Sequence, residues 1–216
     1  LSYTLSLHDA LPIWDLRTFA EAEIRIPDGP YKGTRFSCDQ QPYTALWFAA
    51  HAQATGTAEG QHTGADCTGL NVFIAVGPTQ SGKTLSTLVI PGMWHLFELE
   101  ETVCCLVPDD DMVNDKWKED FLPAIKASRY AKLLPTDGEG SRNGKVRDAV
   151  RFQNGVTLKF LTAGGNDKSV AGFTSRVLLA TEINAFGKLS EASAEGNRWE
   201  QALGRLRAYG DRALVY

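Results

Sequence analysis

Eight residues, Gly77 to Thr84 (GPTQSGKT), have the types and spacing that a triphosphate requires. Glycines 77 and 82 let the backbone curl so that successive N–H groups point inward at phosphate oxygens, and a helix starting here presents its positive end to the same anion. Lys83 would then bridge the β- and γ-phosphates, and the Thr84 hydroxyl would ligate Mg²⁺. Pro78, Thr79, Gln80 and Ser81 complete the cradle through their backbone. The plain alternative is a tight strand-to-helix turn. Context favours the phosphate: LNVFIAV (Leu70 to Val76) precedes the loop and reads as a buried strand, and KTLSTLVIPGMWHLF (Lys83 to Phe97) follows as a helix interrupted near Pro91.

Hydrolysis needs a second site, a carboxylate at the end of an apolar strand to polarise the attacking water, beside another that supports the metal. VLLATEINAF (Val177 to Phe186) offers the strand and Glu182. Thr181 stands where the metal-associated aspartate is expected. Its hydroxyl can hold a metal-bound water but brings no negative charge, so it is a weak metal contact. Lys83 and Glu182 are therefore the candidate catalytic pair, weighed against a solvated carboxylate at a strand end.

The elements that must position these groups alternate. TVCCLVP (Thr102 to Pro108) reads as a second buried strand, DDDMVNDKWKEDFLPAIKAS (Asp109 to Ser128) as a helix with acidic residues at its positive end, and Val177 onward as a third buried strand. Strand, loop, helix, strand, helix implies a parallel sheet with crossover helices. Asn154-Gly155, between two alternating apolar runs from Ala149 to Ala163, is a hairpin signal. TALWFAAHAQ (Thr44 to Gln53) reads as a helix, Trp14 to Tyr43 as irregular, Thr55 to Gly69 as an exposed glycine-rich loop, and Gly138 to Asp148 as a flexible basic loop. A further helix is expected around Asn197 to Tyr209, and ALVY (Ala213 to Tyr216) reads as a strand just beginning.

Composition bounds the possibilities. The chain has 216 residues, 43% hydrophobic and 22% charged, enough for one sizeable core. No apolar run is long enough to span a bilayer, so no membrane role is expected. A net charge of -4 gives no bulk attraction to nucleic acid, so any such contact must be a local basic cluster. The cysteines, Cys38, Cys67, Cys104 and Cys105, show no zinc spacing, and the adjacent pair is expected to point to opposite faces of a strand as small buried hydrophobes. Residues 1–13 include TLSLHDALPI, which reads as a translated sequencing adapter. They are expected to lie outside a single domain formed by residues 14–216, itself a truncated piece of a longer protein.

GPYKGTRF (Gly29 to Phe36), QQPYT (Gln40 to Thr44), VGPTQSGKT (Val76 to Thr84), VLLATEINAF and the helix bearing Arg198 and Arg205 before ALVY match, in order and spacing, one family. The chain resembles the ATPase region of the large terminase subunit of tailed phages, the lambda-type packaging motor. The resemblance implies a P-loop NTPase three-layer α/β sandwich, with a mainly parallel central sheet and an added β-hairpin. It implies ATP and Mg²⁺ as cofactors and translocation of double-stranded DNA into a procapsid. The partners it implies are a small terminase subunit and the portal protein, the state a homo-oligomeric ring, and the place the host cytoplasm. It also implies that Gln41 helps recognise adenine, against the equal alternative of a turn residue bonded to its own backbone. For Tyr43, packing as a buried aromatic is preferred to base stacking. The family's frequent arginine near the loop's start is replaced here by Pro78, Thr79 and Gln80, which leaves Arg142 and Arg147 as candidate fingers toward a neighbouring subunit. The family's metal-dependent nuclease is not expected in this fragment.

Three other readings compete. A helicase-like translocase shares both nucleotide motifs. A nucleotide-binding module without turnover is motivated by Thr181. A small-molecule kinase lacks an arginine-rich lid segment after the nucleotide motifs.

Overall fold

The computed structural model describes residues 14–55, 71–78, 80–141, 144–163, 174–186 and 198–216. The adapter-like residues 1–13, most of the glycine-rich loop 55–69, Cys67, Thr79 and Arg142 lie outside them.

Among the described residues six strands form one sheet in the order β1-β6-β5-β2-β4-β3. They are β1 (Asn71–Val72), β2 (Val103–Val107), β3 (Ala149–Arg151), β4 (Thr157–Thr162), β5 (Val177–Ala180) and β6 (Leu214–Val215). Every neighbouring pair is parallel except β3 with β4. That antiparallel pair is the expected hairpin: Gly155 takes φ 88°, Phe152 N–H donates to the Val156 carbonyl, and Gly155 N–H donates to the Phe152 carbonyl. Only Gly155 of the Asn-Gly pair is left-handed, which makes a longer turn with a bulge rather than a two-residue turn.

Alternation along the central strands builds two cores. Val103, Cys105 and Val107 of β2, with Leu158, Phe160, Val177 and Leu179, join one large cluster. Cys104, Leu106, Leu161, Leu178 and Val215 face a smaller one on the other side. The first core is covered by helices α1 (Leu16–Glu23), α2 (Pro42–Thr55), α3 (Ile90–Phe97), α4 (Asp110–Asp115) and α5 (Leu122–Lys126). The second is covered by Phe186 and by Ala202 of α6 (Arg198–Gly204). Helices on both faces of a mostly parallel sheet are the arrangement the alternating sequence calls for. Cys104 and Cys105 do face opposite sides. Burial raises both thiols, that of Cys105 to about 12, so neither is a nucleophile at neutral pH.

Two prolines share one structural solution. Pro91 does not interrupt its helix. Residues Thr84–Val89 wind as a π-helix into α3, with the Ile90 N–H donating five residues back to the Leu85 carbonyl. Pro123 in α5 is preceded in the same way by the π-helical Lys116–Phe121, where Leu122 N–H donates to the Trp117 carbonyl. Proline lacks an N–H and its ring clashes with the carbonyl four residues back. Widening the preceding turn removes that clash while the helix runs on. The two helices meet at Gly92, where an added Cβ would lie 2.8 Å from Phe121 Cε1 and 2.9 Å from Leu179 Cδ1, so only glycine fits.

Three further expectations need correction. Trp14 to Tyr43 is not wholly irregular: Asp15 caps α1 by accepting from the Arg17 and Thr18 N–H groups, and Leu16, Phe19 and Ala20 are buried. The run before the glycine loop is not a buried strand. Among its described residues only Asn71–Val72 pairs as a strand, at the edge of the described sheet, and Ile74 is 66% and Val76 94% exposed. Apolar content alone could not separate an edge strand from a central one. The basic loop is also held where it is described, because the Glu139 carboxylate accepts from the N–H groups of Arg147, Asp148 and Ala149.

Candidate functional site

The glycine loop leaves β1 at the C-terminal edge of the sheet and runs into the helix that starts at Thr84. Gly82 takes φ 76° and Gln80 takes φ 58°, a left-handed conformation that costs a non-glycine residue roughly 1 kcal/mol or more. The Lys83 ammonium is turned into the loop. It donates to the Gly77 carbonyl at 2.8 Å, to the Pro78 carbonyl, and to Ser81 Oγ at 3.3 Å. Ser81 Oγ in turn donates to the Pro78 carbonyl at 2.9 Å. An anion entering the loop would take over the lysine from these neutral oxygens, a gain because charge-assisted bonds are the stronger ones.

Two residues at the start of α2 clasp the loop from outside. The Tyr43 hydroxyl donates to the Ser81 carbonyl at 2.5 Å, and the ring is 43% exposed, so Tyr43 is neither the buried packing residue expected nor free of the loop. The Gln41 side chain lies on Gly82, where an added Cβ would meet Gln41 Nε2 at 2.9 Å. Gln41 Oε1 is buried with no hydrogen-bond partner, so this oxygen does not bond its own backbone. It remains a buried acceptor beside the loop that lacks a donor.

Glu182 lies beyond β5 on the same edge of the sheet, with φ 57° and ψ 41°. It is exposed, as are Ile183 and Asn184 after it, and Thr181 N–H is tied to the Leu106 carbonyl at 3.2 Å. Strand β6 intervenes between β1 and β5. With strands spaced about 4.8 Å apart, the strand carrying Glu182 runs about 10 Å from the one that launches the loop. Among the described residues no group of three His, Cys, Asp or Glu side chains could hold a metal ion. Thr84 and, through water, Thr181 are the oxygen-bearing residues that could hold a Mg²⁺ here. Arg147, one of the two candidate fingers, is exposed.

Sequence reading missed a buried polar chain that runs from the end of β6 to the N-terminal ends of β2 and β5. The Tyr216 hydroxyl lies 2.6 Å from His51 Nε2 and 3.0 Å from His95 Nε2. His95 Nδ1 lies 2.8 Å from Glu101 Oε2, and Arg176 holds both Glu101 oxygens at 2.7 and 2.8 Å. Burial lowers both histidines, His51 to about 3, so they are neutral. Burial alone would raise the Glu101 carboxyl, but bonds from His95 and Arg176 outweigh it and hold it at about 2. The protons then have one order: His95 Nδ1–H donates to Glu101, Tyr216 O–H donates to His95 Nε2, and His51 Nε2–H donates to Tyr216. His51 Nδ1 is left bare and buried. The chain ties α2 and α3, which flank the glycine loop, to the end of β6. Its members are common polar types scattered from His51 to Tyr216, and only their meeting in space gives them away.

These features define an α/β protein whose mostly parallel sheet carries a glycine loop, a lysine and a glutamate along its C-terminal edge, the edge where open α/β sheets bind ligands. No family model matches the chain, and no curated protein does. Among solved structures it is similar to the HK97 bacteriophage large terminase, at 10% identity and a TM-score of 0.49, over 98% of this chain and 43% of that one. This chain thus spans less than half of that protein's length, and a likeness so distant identifies no activity. Among the described residues no helix is long and apolar enough to cross a membrane.

Proposed function

We propose that the chain is the ATP-hydrolysing region of a DNA-translocating motor of the large-terminase kind. The supporting observation is positional: the Gly77–Thr84 loop and Glu182 leave parallel strands of one sheet on the same edge, with a single strand between them. Bound ATP supplies the phosphoryl bond whose cleavage drives movement. The chain's own contribution is to cradle the phosphates with the loop's N–H groups and Lys83, and to meet the attacking water with Glu182. Thr84 is the Mg²⁺ residue and Thr181 a weaker one through water. Gln41, with its donor-less buried oxygen beside the loop, is the residue offered to an adenine amino group. Double-stranded DNA, a small terminase subunit, a portal or procapsid, a ring of copies and the host cytoplasm belong to the same proposal. Arg142 or Arg147 is the proposed finger toward a neighbouring copy.

One observation favours a second reading. Thr181 brings no charge to the metal, and Glu182 is exposed, an arrangement suited to holding nucleotide without turning it over. Titration with a fluorescent ATP analogue separates the cases. Lys83→Ala is expected to lose binding with its circular dichroism unchanged; an unfolded variant would make Lys83 structural. Glu182→Gln is expected to bind ATP normally and lose hydrolysis by about 10²–10⁴-fold, the usual worth of a positioned base. A wild-type chain that binds ATP but shows no DNA-stimulated hydrolysis would favour the binding module.

A further inference from the structure

Between α1 and α2 the chain makes a small antiparallel ribbon in which Arg25 and Arg35 are direct partners. Ile26 N–H donates to the Thr34 carbonyl at 3.0 Å, and Phe36 N–H to the Ile24 carbonyl at 2.9 Å. This bonding pattern makes Arg25 and Arg35 a non-hydrogen-bonded pair, the kind whose Cα atoms approach to about 4.5 Å with side chains on one face at their closest. Ile24 and Phe36, next to them in sequence, are buried in the core, which leaves the arginine face outward. Residues 28–35 are all exposed, including Lys32, and Tyr31 is 58% exposed.

Like charges set directly opposite each other destabilise a ribbon. Among the described residues neither arginine has a carboxylate within ion-pair distance; Arg25 reaches only the Gly33 carbonyl, at 3.2 Å. Asp28 is the single acid between Ile24 and Phe36, against three cations. The ribbon is pinned at its base by those two backbone bonds, and at its turns Gly29 and Gly33 take φ 83° and 82°. A partner with several negative charges spaced along it would offset this repulsion. We infer that this ribbon is a phosphate-backbone contact for duplex DNA, with Arg25, Lys32 and Arg35 placed against successive phosphates. The choice of DNA rests on the proposed translocase; the need for a polyanion rests on the arginine pair. Such contacts position DNA without reading its sequence.

The test is fluorescence anisotropy of a short labelled duplex against the full chain over a salt series. Each phosphate that a side chain neutralises adds about 0.9 to the steepness of log K against log[salt], so Arg25→Gln/Arg35→Gln is expected to flatten it by about 1.8. Between ~50 and ~200 mM salt the wild type would then weaken about ten-fold more than the variant. Lys132→Gln, an exposed lysine on another element, is expected to leave the slope in place, and a second duplex sequence is expected to give the same result. Arg35→Gln alone is expected to raise, or leave unchanged, the midpoint of thermal unfolding, because repulsion is removed. An unchanged slope, equal competition by polyglutamate or anionic vesicles, no DNA binding by the wild type, or a lowered midpoint for Arg35→Gln would each overturn the inference. ATP titration on the same samples is independent, so a failed DNA surface is distinguishable from a failed nucleotide site.

Discussion

The two ends of the parallel sheet are built on opposite terms. From the N-terminal ends of β2 and β5, where Glu101 and Arg176 sit, a continuous chain runs through His95 to Tyr216 and His51 under the sheet, and every bond in it has a defined donor and acceptor. At its C-terminal edge Gln80 and Glu182 hold left-handed backbone, Lys83 is folded onto neutral carbonyls, and Gln41 keeps a buried oxygen with no donor. One end commits its polar groups to each other, His51 Nδ1 excepted, and the other keeps them in reserve. Of the three described non-glycine residues with left-handed backbone, Gln80 and Glu182 lie where a ligand would bind and Glu100 adjoins the foundation; strain at the rim is what a functional site leads one to expect.

The largest expected break comes from acid, and it should act on the foundation first. Histidines whose folded pKa is lowered bind fewer protons folded than unfolded, so stability is full above their ordinary value near 6.5 and falls away as pH drops. Each neutral histidine contributes a slope of about 1.4 kcal/mol per pH unit below that value, continuing for His51 down to about 3. Glu101 adds to the fall in the same direction from its ordinary 4.5 down to about 2. Urea unfolding at pH 7, 6, 5 and 4 would show this as a steepening fall in the unfolding free energy. A flat profile to pH 5 would mean that the histidines are already charged in the folded chain.

Next in size is Tyr216→Phe, which removes the hydroxyl shared by the two histidines and nothing else. Leaving buried polar nitrogens without partners costs about 1–3 kcal/mol. The expected result is a lower unfolding midpoint with ATP affinity within about two-fold of wild type, since the hydroxyl is part of the foundation and not of the rim. Equal falls in both measurements would show that the two ends are not separable.

This contrast also explains what the sequence disclosed. The strands of the sheet's centre were legible, because Val103–Val107 and Val177–Ala180 are unbroken apolar runs, the first buried along its whole length and the second in all but its last residue. The hairpin at Asn154-Gly155 and the two-sided placement of Cys104 and Cys105 were legible for equally local reasons. The edge position of β1 was not, because an apolar run has the same composition whether one neighbour or two flank it. Nor was continuity through Pro91, since a π-helical turn leaves no signature in residue type. The glycine loop was legible as a string, whereas the clasp of Tyr43 and Gln41 on it depends on how α2 docks, which no short window contains. The buried chain to Tyr216 is the extreme case: its members lie up to 165 positions apart and none has an unusual neighbour in sequence.

The smallest expected effect tests the rim's strain directly. Glu182 sits at φ 57°, ψ 41°, a region that costs most side chains about 1–2 kcal/mol but that asparagine tolerates by bonding locally through its short amide. Glu182→Asn is therefore expected to stabilise the chain by up to about 1 kcal/mol while removing whatever turnover the glutamate supports. The residue is exposed, so the exchange sacrifices no packing. A gain in unfolding midpoint together with abolished hydrolysis would mark position 182 as one where conformation is strained in favour of a carboxylate. A fall in stability would instead show that the glutamate side chain holds its own turn together, and the contrast between the two ends of the sheet would then rest on Gln80 and Gln41 alone.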